Sequence, residues 1–403
     1  MSSNSVKTWA LITIVFLAGG IATALVPLTV PILNPISAEF GVDRADLGWL
    51  ISFPTLVCAV GALACGFIVD RVGDVRLLFV GMFLVILGDI GVSLAPELQW
   101  LYAARLFQGF GYVCLSVAGP AFIQRTTTGD RRRAAMAFWA AHTPLGFAAA
   151  VWFGAQLVAA EQSWRFSFMG HAGVAVLVGL AVLALRGARS EATAKRSAGT
   201  LQVLASFRPY AVAIGAGATA MLQVGVMVLL PHLLAEGRGF SGPQWALVVV
   251  AAMTVNWLGA MVIVTTRARN APAIVLPLTA ACAAAFSFAI VSEMTADLTI
   301  ALGCVMAFSA AIGAANALVW SLIQVAVPSP DAAGATAGLI TQGSFLGVLV
   351  SPPTFFWIQH EGDALLLAGL ALLLLVLMLV PLLALSRAER AGAANTLHLA
   401  NPH

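Results

Sequence analysis

The sequence predicts an all-α membrane protein whose twelve transmembrane helices form two pseudo-symmetric six-helix bundles. Three observations predict this fold class. Of the 403 residues 61% are hydrophobic and only 9% are charged; twelve apolar segments are each long enough to cross a bilayer; and a long basic loop follows the sixth of them. Soluble domains carry about 25% charged residues, so this composition excludes a soluble globular protein.

Each apolar segment is long enough to cross a bilayer, whose core of about 30 Å needs roughly 20 residues per helix. Each segment must be helical, because lipid offers its backbone no hydrogen-bonding partners. We expect kinks at Pro27, Pro54, Pro144 and Pro231. The predicted spans, numbered 1 to 12, lie at 8–33, 46–69, 76–95, 98–123, 134–158, 166–185, 209–235, 243–266, 271–293, 298–327, 334–358 and 363–385.

The basic residues predict the orientation of these spans. Sixteen of the twenty Lys and Arg residues fall in the N-terminus, the loops after even-numbered spans and the C-terminal tail, whereas Arg44, Arg165 and Arg238 fall in the opposite loops. Basic loops stay on the cytoplasmic side, so both termini are predicted to be cytoplasmic in an inner (plasma) membrane. The first apolar run, 8–30, is long enough to span and shows no cleavage-site pattern, so no cleavable signal peptide is expected.

The basic loop after span 6 predicts the domain organisation. We expect an N-terminal six-helix bundle at 1–185, a cytoplasmic linker at 186–208, a C-terminal six-helix bundle at 209–385 and a cytoplasmic tail at 386–403. A weak internal repeat supports this division. A shift of 200 aligns Pro31 with Pro231, and a shift of 201 aligns Asp130 with Asp331 and Gly146 with Gly347.

Two charges fall well inside the predicted spans. Asp89 in span 3 and Arg105 in span 4 each lie eight residues from Glu97 in the turn that joins them. At 1.5 Å per residue both lie about 12 Å from that turn, so we expect them to pair. A charge within the membrane indicates a functional site. A neutral pair that only holds the two helices together stays an equal alternative for Asp89.

The turn between spans 2 and 3 carries a charged motif made of Gly66, Asp70, Arg71, Gly73 and Arg76. It resembles the signature loop of the major facilitator superfamily, Gly-x3-Asp-Arg/Lys-x-Gly-Arg-Arg/Lys. The resemblance implies a cytoplasmic gate formed by these five residues, with Asp70 near the N-terminal end of span 11. Asp74 stands where the family usually has a basic residue, so we expect it to repel Asp70 and weaken the gate.

A second motif lies in span 4. Arg105, Gln108, Gly109 and Gly111 match the superfamily's helix-4 pattern, Arg-x-x-Gln-Gly-x-Gly. The resemblance implies the superfamily's fold for the whole chain and a role for Arg105 in substrate binding or proton transfer. Gln108 and Tyr112 follow Arg105 on the same helix face and are expected to line the same cavity.

Proton coupling requires a group that titrates near neutral pH, and histidine is the side chain best suited to that task. His142 and His171 lie within spans, and His232 lies near the end of span 7. A packing role is the more frequent one for such a histidine. Asp89 is the alternative proton carrier, and uncoupled uniport stays open.

Amides and aromatics in the second half are further candidates for contact with a polar solute. The alternative is that they form hydrogen bonds between helices, and for single amides we rank it first. The candidates are Gln223 in span 7, Asn256 in span 8, Asn316 and Trp320 in span 10, and Gln342 in span 11.

The sequence shows no phosphate-binding glycine loop, metal-ligand cluster or hydrolytic triad, so we expect no enzyme activity, no cofactor and no metal. The expected partners are a small-molecule substrate, the lipid bilayer and, if transport is coupled, protons, with no nucleic acid and a monomeric state. We predict a secondary active transporter that moves a small polar or anionic organic solute by alternating access. The alternative is an efflux transporter that exports drugs or metabolites. Span 1 lacks a carboxylate between Trp9 and Leu33, which counts against cationic drugs.

Overall fold

Twelve helical spans within the described part of the chain are long and apolar enough to cross a membrane. The computed structural model of the chain describes residues 3–42, 47–188, 202–361 and 364–387. Most of the predicted linker and tail, including Arg189, Lys195 and Arg196, lies outside the described residues, and so does Arg44. The spans are Val6–Phe40, Trp49–Val72, Asp74–Ser93, Leu98–Thr126, Gly129–Ala159, Arg165–Leu185, Phe207–Ala235, Gly242–Thr265, Pro272–Ile290, Leu298–Ala326, Ala333–Gln359 and Leu365–Arg387.

Spans 1, 5 and 10 each consist of more than one helix, and spans 6 and 12 end in a second short helical segment, Leu183–Ala188 and 381–387. Span 1 contains the helices Ser3–Ala24 and Leu33–Phe40 with the 3₁₀ helix Pro27–Ile32 between them. Span 5 contains Gly129–Ala140 and His142–Ala159, and span 10 contains Leu298–Ser321 and Ile323–Ala326. The helices of the other spans are Gly48–Val72, Asp74–Ser93, Leu98–Thr126, Arg165–Val182, Phe207–Arg238, Gly242–Thr265, Pro272–Ala296, Ala333–Glu361 and Ala364–Leu379.

The predicted interruption at Pro27 is confirmed, but the predicted end of span 1 at residue 33 is wrong. Pro27 begins the 3₁₀ helix because proline cannot donate a backbone hydrogen bond within an α-helix. The chain then returns to an α-helix that ends at Gly41, whose φ of +64° favours glycine. Span 1 therefore includes Glu39, which the sequence had placed in a loop.

The packing of spans 1–6 is repeated by spans 7–12. Span 4 packs on spans 1, 2 and 3, and span 10 packs on the corresponding spans 7, 8 and 9. Likewise span 1 packs on 5 and 6, span 3 on 6, span 7 on 11 and 12, and span 9 on 12. A duplicated six-helix bundle would produce this recurrence of the same neighbours. The recurrence therefore supports the predicted division into two halves.

Glycines permit the same close approach in both halves. A Cβ atom on Gly146 of span 5 would lie 2.6 Å from the carbonyl oxygen of Gly20 in span 1. A Cβ atom on Gly347 of span 11 would lie 2.1 Å from the carbonyl oxygen of Gly217 in span 7. Small residues let helix backbones pack closely in membranes. The aligned pair Gly146 and Gly347 thus occupies equivalent packing positions.

The two halves meet through spans 2 and 11, 4 and 11, 5 and 8, and 5 and 10. We call the end of the molecule that carries Arg71, Arg125 and Arg269 the basic end. Towards this end the halves are in close contact. A Cβ atom on Gly66 would lie 2.5 Å from the Gly334 carbonyl oxygen, and one on Gly338 would lie 2.5 Å from that of Ala62. The basic end is therefore closed in this structure.

Candidate functional site

The predicted site residues of spans 3 and 4 form a buried polar cluster with one residue of span 6. Asp89, Arg105 and Gln108 have no exposed surface, and His171 is 7% exposed. Each lies in the interior of a membrane span, and burial of such groups is costly unless they find partners. We call these four residues the charged cluster.

Asp89 and Arg105 do not pair directly, contrary to the expectation from their equal depth. Gln108 lies between them. Arg105 Nη1 donates to Gln108 Oε1 at 2.5 Å, and Gln108 Nε2 donates to Asp89 Oδ1 at 2.6 Å. Arg105 and Gln108 share a helix face, and the amide of Gln108 occupies the position next to Asp89.

Arg105 has one donor group without a partner. Its Nε donates to the carbonyl oxygen of Leu50 at 2.7 Å, and its guanidinium carbon lies 5.7 Å from the centre of the Phe168 ring. Nη2 is buried and has no hydrogen-bond partner among the residues that the structure describes. An unpaired buried donor on a charged group costs more than about 1–3 kcal/mol. This nitrogen is therefore available to an acceptor that the protein itself does not provide.

The direct partner of Asp89 is His171. His171 Nδ1 lies 2.7 Å from Asp89 Oδ2, and His171 Nε2 lies 3.0 Å from the carbonyl oxygen of Ile21. A carbonyl oxygen can only accept, so Nε2 must carry a proton. The second contact then needs one more proton, either on Nδ1 or on the Asp89 carboxyl. The pair holds a single shared proton and is neutral as a unit in both arrangements.

A second group of charges holds the basic end closed. Asp70 Oδ1 accepts from the Gly334 N–H at 2.8 Å, and Asp70 Oδ2 accepts from the Ala335 N–H at 2.9 Å. These amides begin the helix Ala333–Glu361, where backbone N–H groups favour an anion. Arg125 Nη2 binds Asp70 Oδ1 at 2.6 Å, and Arg125 Nη1 binds Asp74 Oδ2 at 2.8 Å. We call Asp70, Asp74 and Arg125, with the two amides, the inner lock.

The expectation that Asp74 repels Asp70 is wrong. Arg125 lies between the two carboxylates and bonds to both, so Asp74 helps to hold the arginine that binds Asp70. Asp74 also accepts the N–H of Val75 at 2.7 Å. Arg125 was not among the predicted gate residues, although its position at the end of span 4, opposite the signature loop, was a usable signal.

The other predicted gate residues have separate positions. Gly66 permits the close approach to Gly334, and Gly73 turns the chain with a φ of +99°. Arg71 is exposed, and Arg76 Nη1 donates to the Val72 carbonyl oxygen at 3.4 Å. No hydrogen bond or ion pair described here joins Arg71 or Arg76 to span 11.

A second charged contact crosses between the halves at the basic end. Arg269, between spans 8 and 9, places Nη2 at 2.8 Å and Nε at 3.3 Å from the carboxylate of Asp130 at the start of span 5. Arg133 lies 3.4 Å from the same carboxylate. The contact is the counterpart of the inner lock, since spans 5 and 8 correspond to spans 11 and 2. We call it the outer-rim pair because the side chain of Asp130 is 51% exposed.

Two further candidates of the first half have contacts outside the charged cluster. The ring of Tyr112 meets that of Phe345 of span 11 edge to face, with 4.9 Å between the centroids. His142 contacts the Trp139 carbonyl oxygen through Nδ1. His142 and His171 both line one apolar cavity between spans 1, 5 and 6.

The candidates of the second half are not joined to the charged cluster by any contact described in the structure. Gln342 Oε1 accepts the N–H of Leu63 in span 2 at 3.2 Å. Asn256 is buried against Gly313 of span 10, with Nδ2 unpartnered. Gln223 and Trp320 are buried, and Asn316 is half-buried. Gln342 thus forms a hydrogen bond between helices, which is the role that we ranked above contact with a solute for a single amide.

The chain was compared with known proteins. The family model of the Major Facilitator Superfamily matches residues 10–352. A probable 4-methylmuconolactone transporter of Cupriavidus pinatubonensis is 26% identical over 55% of this chain and 54% of its own length. The multidrug resistance protein Stp of Mycobacterium tuberculosis is 29% identical over 36% of this chain and 27% of its own length. The chain thus spans about half and about a quarter of these relatives.

The fold resembles that of solved transporters. The E. coli fucose:proton symporter FucP superposes with a TM-score of 0.73 at 16% identity, over 95% of this chain and 99% of its own. At this identity the likeness shows the fold and no more. Together with the family model, which covers most of the chain, these findings assign the protein: it belongs to the Major Facilitator Superfamily of membrane transporters.

Proposed function

We propose that this protein is a secondary active transporter that moves a small polar or anionic organic solute across the plasma membrane by alternating access, coupled to a proton. The observation that carries this proposal is the fully buried guanidinium of Arg105, whose Nη2 has no partner. We further propose that it works as a monomer with both termini in the cytoplasm, since the basic residues lie at the end that carries the even-numbered loops.

The charge balance of the charged cluster favours an anion. Asp89 is matched by His171 and the proton that the two share, so it does not neutralise Arg105. The cluster as a whole keeps about one positive charge. A carboxylate or phosphate matches the planar donors of a guanidinium and forms short, strong hydrogen bonds with them. A solute with such a group would supply the acceptor that Nη2 lacks.

The geometry of the shared proton suggests how coupling would work. If the proton left, one ring nitrogen of His171 would turn a lone pair to an oxygen, either Nδ1 to Asp89 Oδ2 at 2.7 Å or Nε2 to the Ile21 carbonyl oxygen at 3.0 Å. The two atoms would then repel each other and His171 would have to move. Proton release and movement of span 6 are thereby linked, and a transporter can use such a link to drive accumulation.

Alternating access requires the two halves to separate at the basic end, where they now touch. Such a movement would break the hydrogen bonds from the Gly334 and Ala335 amides to Asp70 and the outer-rim pair, which are contacts of charged groups that cross between the halves among the described residues. Because Asp70 reaches the second half through the backbone amides of Gly334 and Ala335, this contact depends on the exact position of span 11. We propose that the lock closes only when the halves have fully docked.

Export of drugs or metabolites is the second candidate. It is favoured by the likeness to the relative named multidrug resistance protein Stp. Against a cationic drug stands the position of Glu39, the carboxylate of span 1 as the structure defines that span. Its Oε2 accepts from Arg165 Nη1 at 2.7 Å and from Trp164 Nε1 at 2.6 Å. Glu39 is therefore engaged and offers no unpaired counter-charge.

A thermal-shift screen tests the proposed substrate class. A ligand that binds the folded protein raises its melting temperature by mass action. The probes are benzoate and succinate as anions, xylose as a neutral solute and tetraphenylphosphonium as a lipophilic cation. We expect stabilisation by an anion in the wild type and its loss in Arg105→Lys, which keeps the charge but not the planar fork.

The matched control is Arg76→Lys, which makes the same change on an exposed arginine. It should leave stabilisation by the anion intact. Stabilisation by tetraphenylphosphonium that is unaffected by Arg105→Lys would reject the anion proposal and favour the exporter.

A further inference from the structure

A cavity of about 340 Å³ lies inside the first half, between spans 1, 5 and 6, and not between the two halves. Its wall includes Phe16, Ile21 and Leu28 of span 1, Leu145 of span 5 and Val178 of span 6. Apart from His142 and His171, every side chain that lines it is apolar, and the remaining lining residues are glycines. A cavity with such walls holds water poorly and binds apolar groups.

The cavity opens towards the membrane. Three of its lining residues are well exposed: Leu17 at 45%, Phe153 at 38% and Val174 at 51%. All three lie at least six residues inside the ends of spans 1, 5 and 6, in the part of the protein that hydrocarbon surrounds. Other lining residues are buried, with Leu28 at 1% and Ala150 at 4% exposure. The cavity therefore continues the lipid-facing surface into the interior of the half-bundle.

The dimensions of the cavity match a lipid tail. Along span 1 its wall runs from Phe16 to Leu28, which at 1.5 Å per residue is about 18 Å. One leaflet contributes about half of a hydrocarbon core of about 30 Å. An empty cavity would deprive its walls of dispersion contacts, and the surrounding membrane offers an apolar chain of suitable length at the opening.

We infer that an acyl chain of a membrane lipid occupies this cavity, entering past Leu17, Phe153 and Val174 and reaching Leu28 and Ala150. The occupant covers the wall formed by His171, on the side away from Asp89. It thereby keeps water from reaching the charged cluster through the half-bundle. This lipid site is separate from the proposed solute site, and its failure would leave that proposal intact.

The experiment uses the full-length protein in phosphatidylcholine vesicles whose acyl chains carry a photoactivatable diazirine. Cross-linked residues are located by mass spectrometry. We expect cross-links at the buried wall residues Ala24, Leu28 and Ala150 in addition to the exposed rim. Cross-links confined to Leu17, Phe153, Val174 and other exposed positions would overturn the inference, because bulk lipid alone produces them.

Two glycines provide matched variants. A Cβ atom on Gly20, which lines the cavity, meets nothing within 4 Å, and the same holds for Gly173, an exposed residue of span 6 outside the lining. Gly20→Leu should reduce labelling of Leu28 and Ala150 at least five-fold, and Gly173→Leu should leave it unchanged. Equal labelling in both variants would contradict the proposal.

If Gly20→Leu does not fold, Ala149→Leu fills the same cavity from span 5, and the wild-type map remains decisive by itself. Competition identifies a different occupant. Loss of the wall cross-links on addition of tetraphenylphosphonium would assign the cavity to a lipophilic cation and overturn the assignment to lipid.

Discussion

His171 and Asp89 lie 82 residues apart in the chain, and yet their Nδ1 and Oδ2 atoms are 2.7 Å apart in the interior of the first half. The imidazole is oriented by its second contact, to the carbonyl oxygen of Ile21. Gln108 orients the other carboxylate oxygen, and it receives a hydrogen bond from Arg105 in turn. A continuous chain of hydrogen bonds thus connects spans 1, 3, 4 and 6.

Asp89→Asn, which replaces the carboxyl group by an amide and removes the shared proton, is the first test of this arrangement. In Asp89→Asn the amide group can donate to a neutral His171 and still accept from Gln108, so we expect the fold to persist. Accumulation of the stabilising anion driven by a pH gradient should be lost in proteoliposomes, while exchange of that anion across the membrane without a gradient continues.

Glu97→Gln is the matched control for Asp89→Asn, because Glu97 is exposed at the turn of the same hairpin. It should behave as the wild type in both assays. Accumulation by Asp89→Asn at the wild-type rate would remove Asp89 from proton coupling and leave it a structural role.

The inner lock predicts a local change in hydrogen exchange. Asp70→Asn weakens the hydrogen bonds from the Gly334 and Ala335 amides, and a hydrogen bond to a charged group contributes about 1.5–3 kcal/mol. We therefore expect exchange of these two amides to accelerate roughly 10- to 100-fold, measured by mass spectrometry on peptides from the start of span 11. Arg71→Gln should not change it, and an equal effect of both variants would mean that loop charge alone closes the gate.

The contact of spans 2 and 11 predicts that one glycine is irreplaceable and a nearby one is not. Gly66→Ala places a methyl group 2.5 Å from the Gly334 carbonyl oxygen, a backbone atom that cannot move aside alone. We expect a loss of stability of about 1–3 kcal/mol, as for other overpacked sites, and faster exchange throughout 334–342. Gly61→Ala lies on the same span with nothing within 4 Å, so we expect no loss of stability there, since alanine favours a helix over glycine; similar losses in both variants would mean that the contact with Gly334 is not their cause.

Hydropathy and charge were sufficient to predict the fold, because a bilayer permits few solutions for a chain with twelve apolar segments. The family model and the likeness to solved transporters confirm that prediction. The end of span 1 was missed because the helix resumes after Pro27 and carries the charged residue Glu39 at its end. A charged residue at this place in the sequence indicates a loop when its partners, Trp164 and Arg165, are not known.

The site was less predictable than the fold. Depth along a helix follows from residue counts, so Asp89 and Arg105 were placed at the same level. Which side chains meet at that level depends on the rotation of each helix, which hydropathy does not define in an all-round apolar span. For this reason the position of Gln108 between the two charges, the pairing of His171 with Asp89 and the bridge from Arg125 to Asp70 and Asp74 emerged only from the structure.

The two charged contacts at the basic end should respond differently to salt. The Asp70 and Arg125 side chains are 1% and 8% exposed, whereas that of Asp130 is 51% exposed. Between about 0.1 M and about 1 M salt the screening length falls from about 10 Å to about 3 Å, and exposed pairs are affected far more than buried ones.

We accordingly expect Arg269→Gln to destabilise the protein by less than about 1 kcal/mol at low salt and by nothing measurable at high salt. Arg125→Gln leaves the buried Asp70 carboxylate without its cation, so its cost should be about 3–5 kcal/mol and should persist in both conditions. Thermal unfolding of the two variants at the two salt concentrations measures this. A loss of stability in Arg125→Gln that becomes smaller at high salt would contradict this. It would mean that the inner lock is open to solvent and that the outer-rim pair stabilises the closed basic end to a comparable extent.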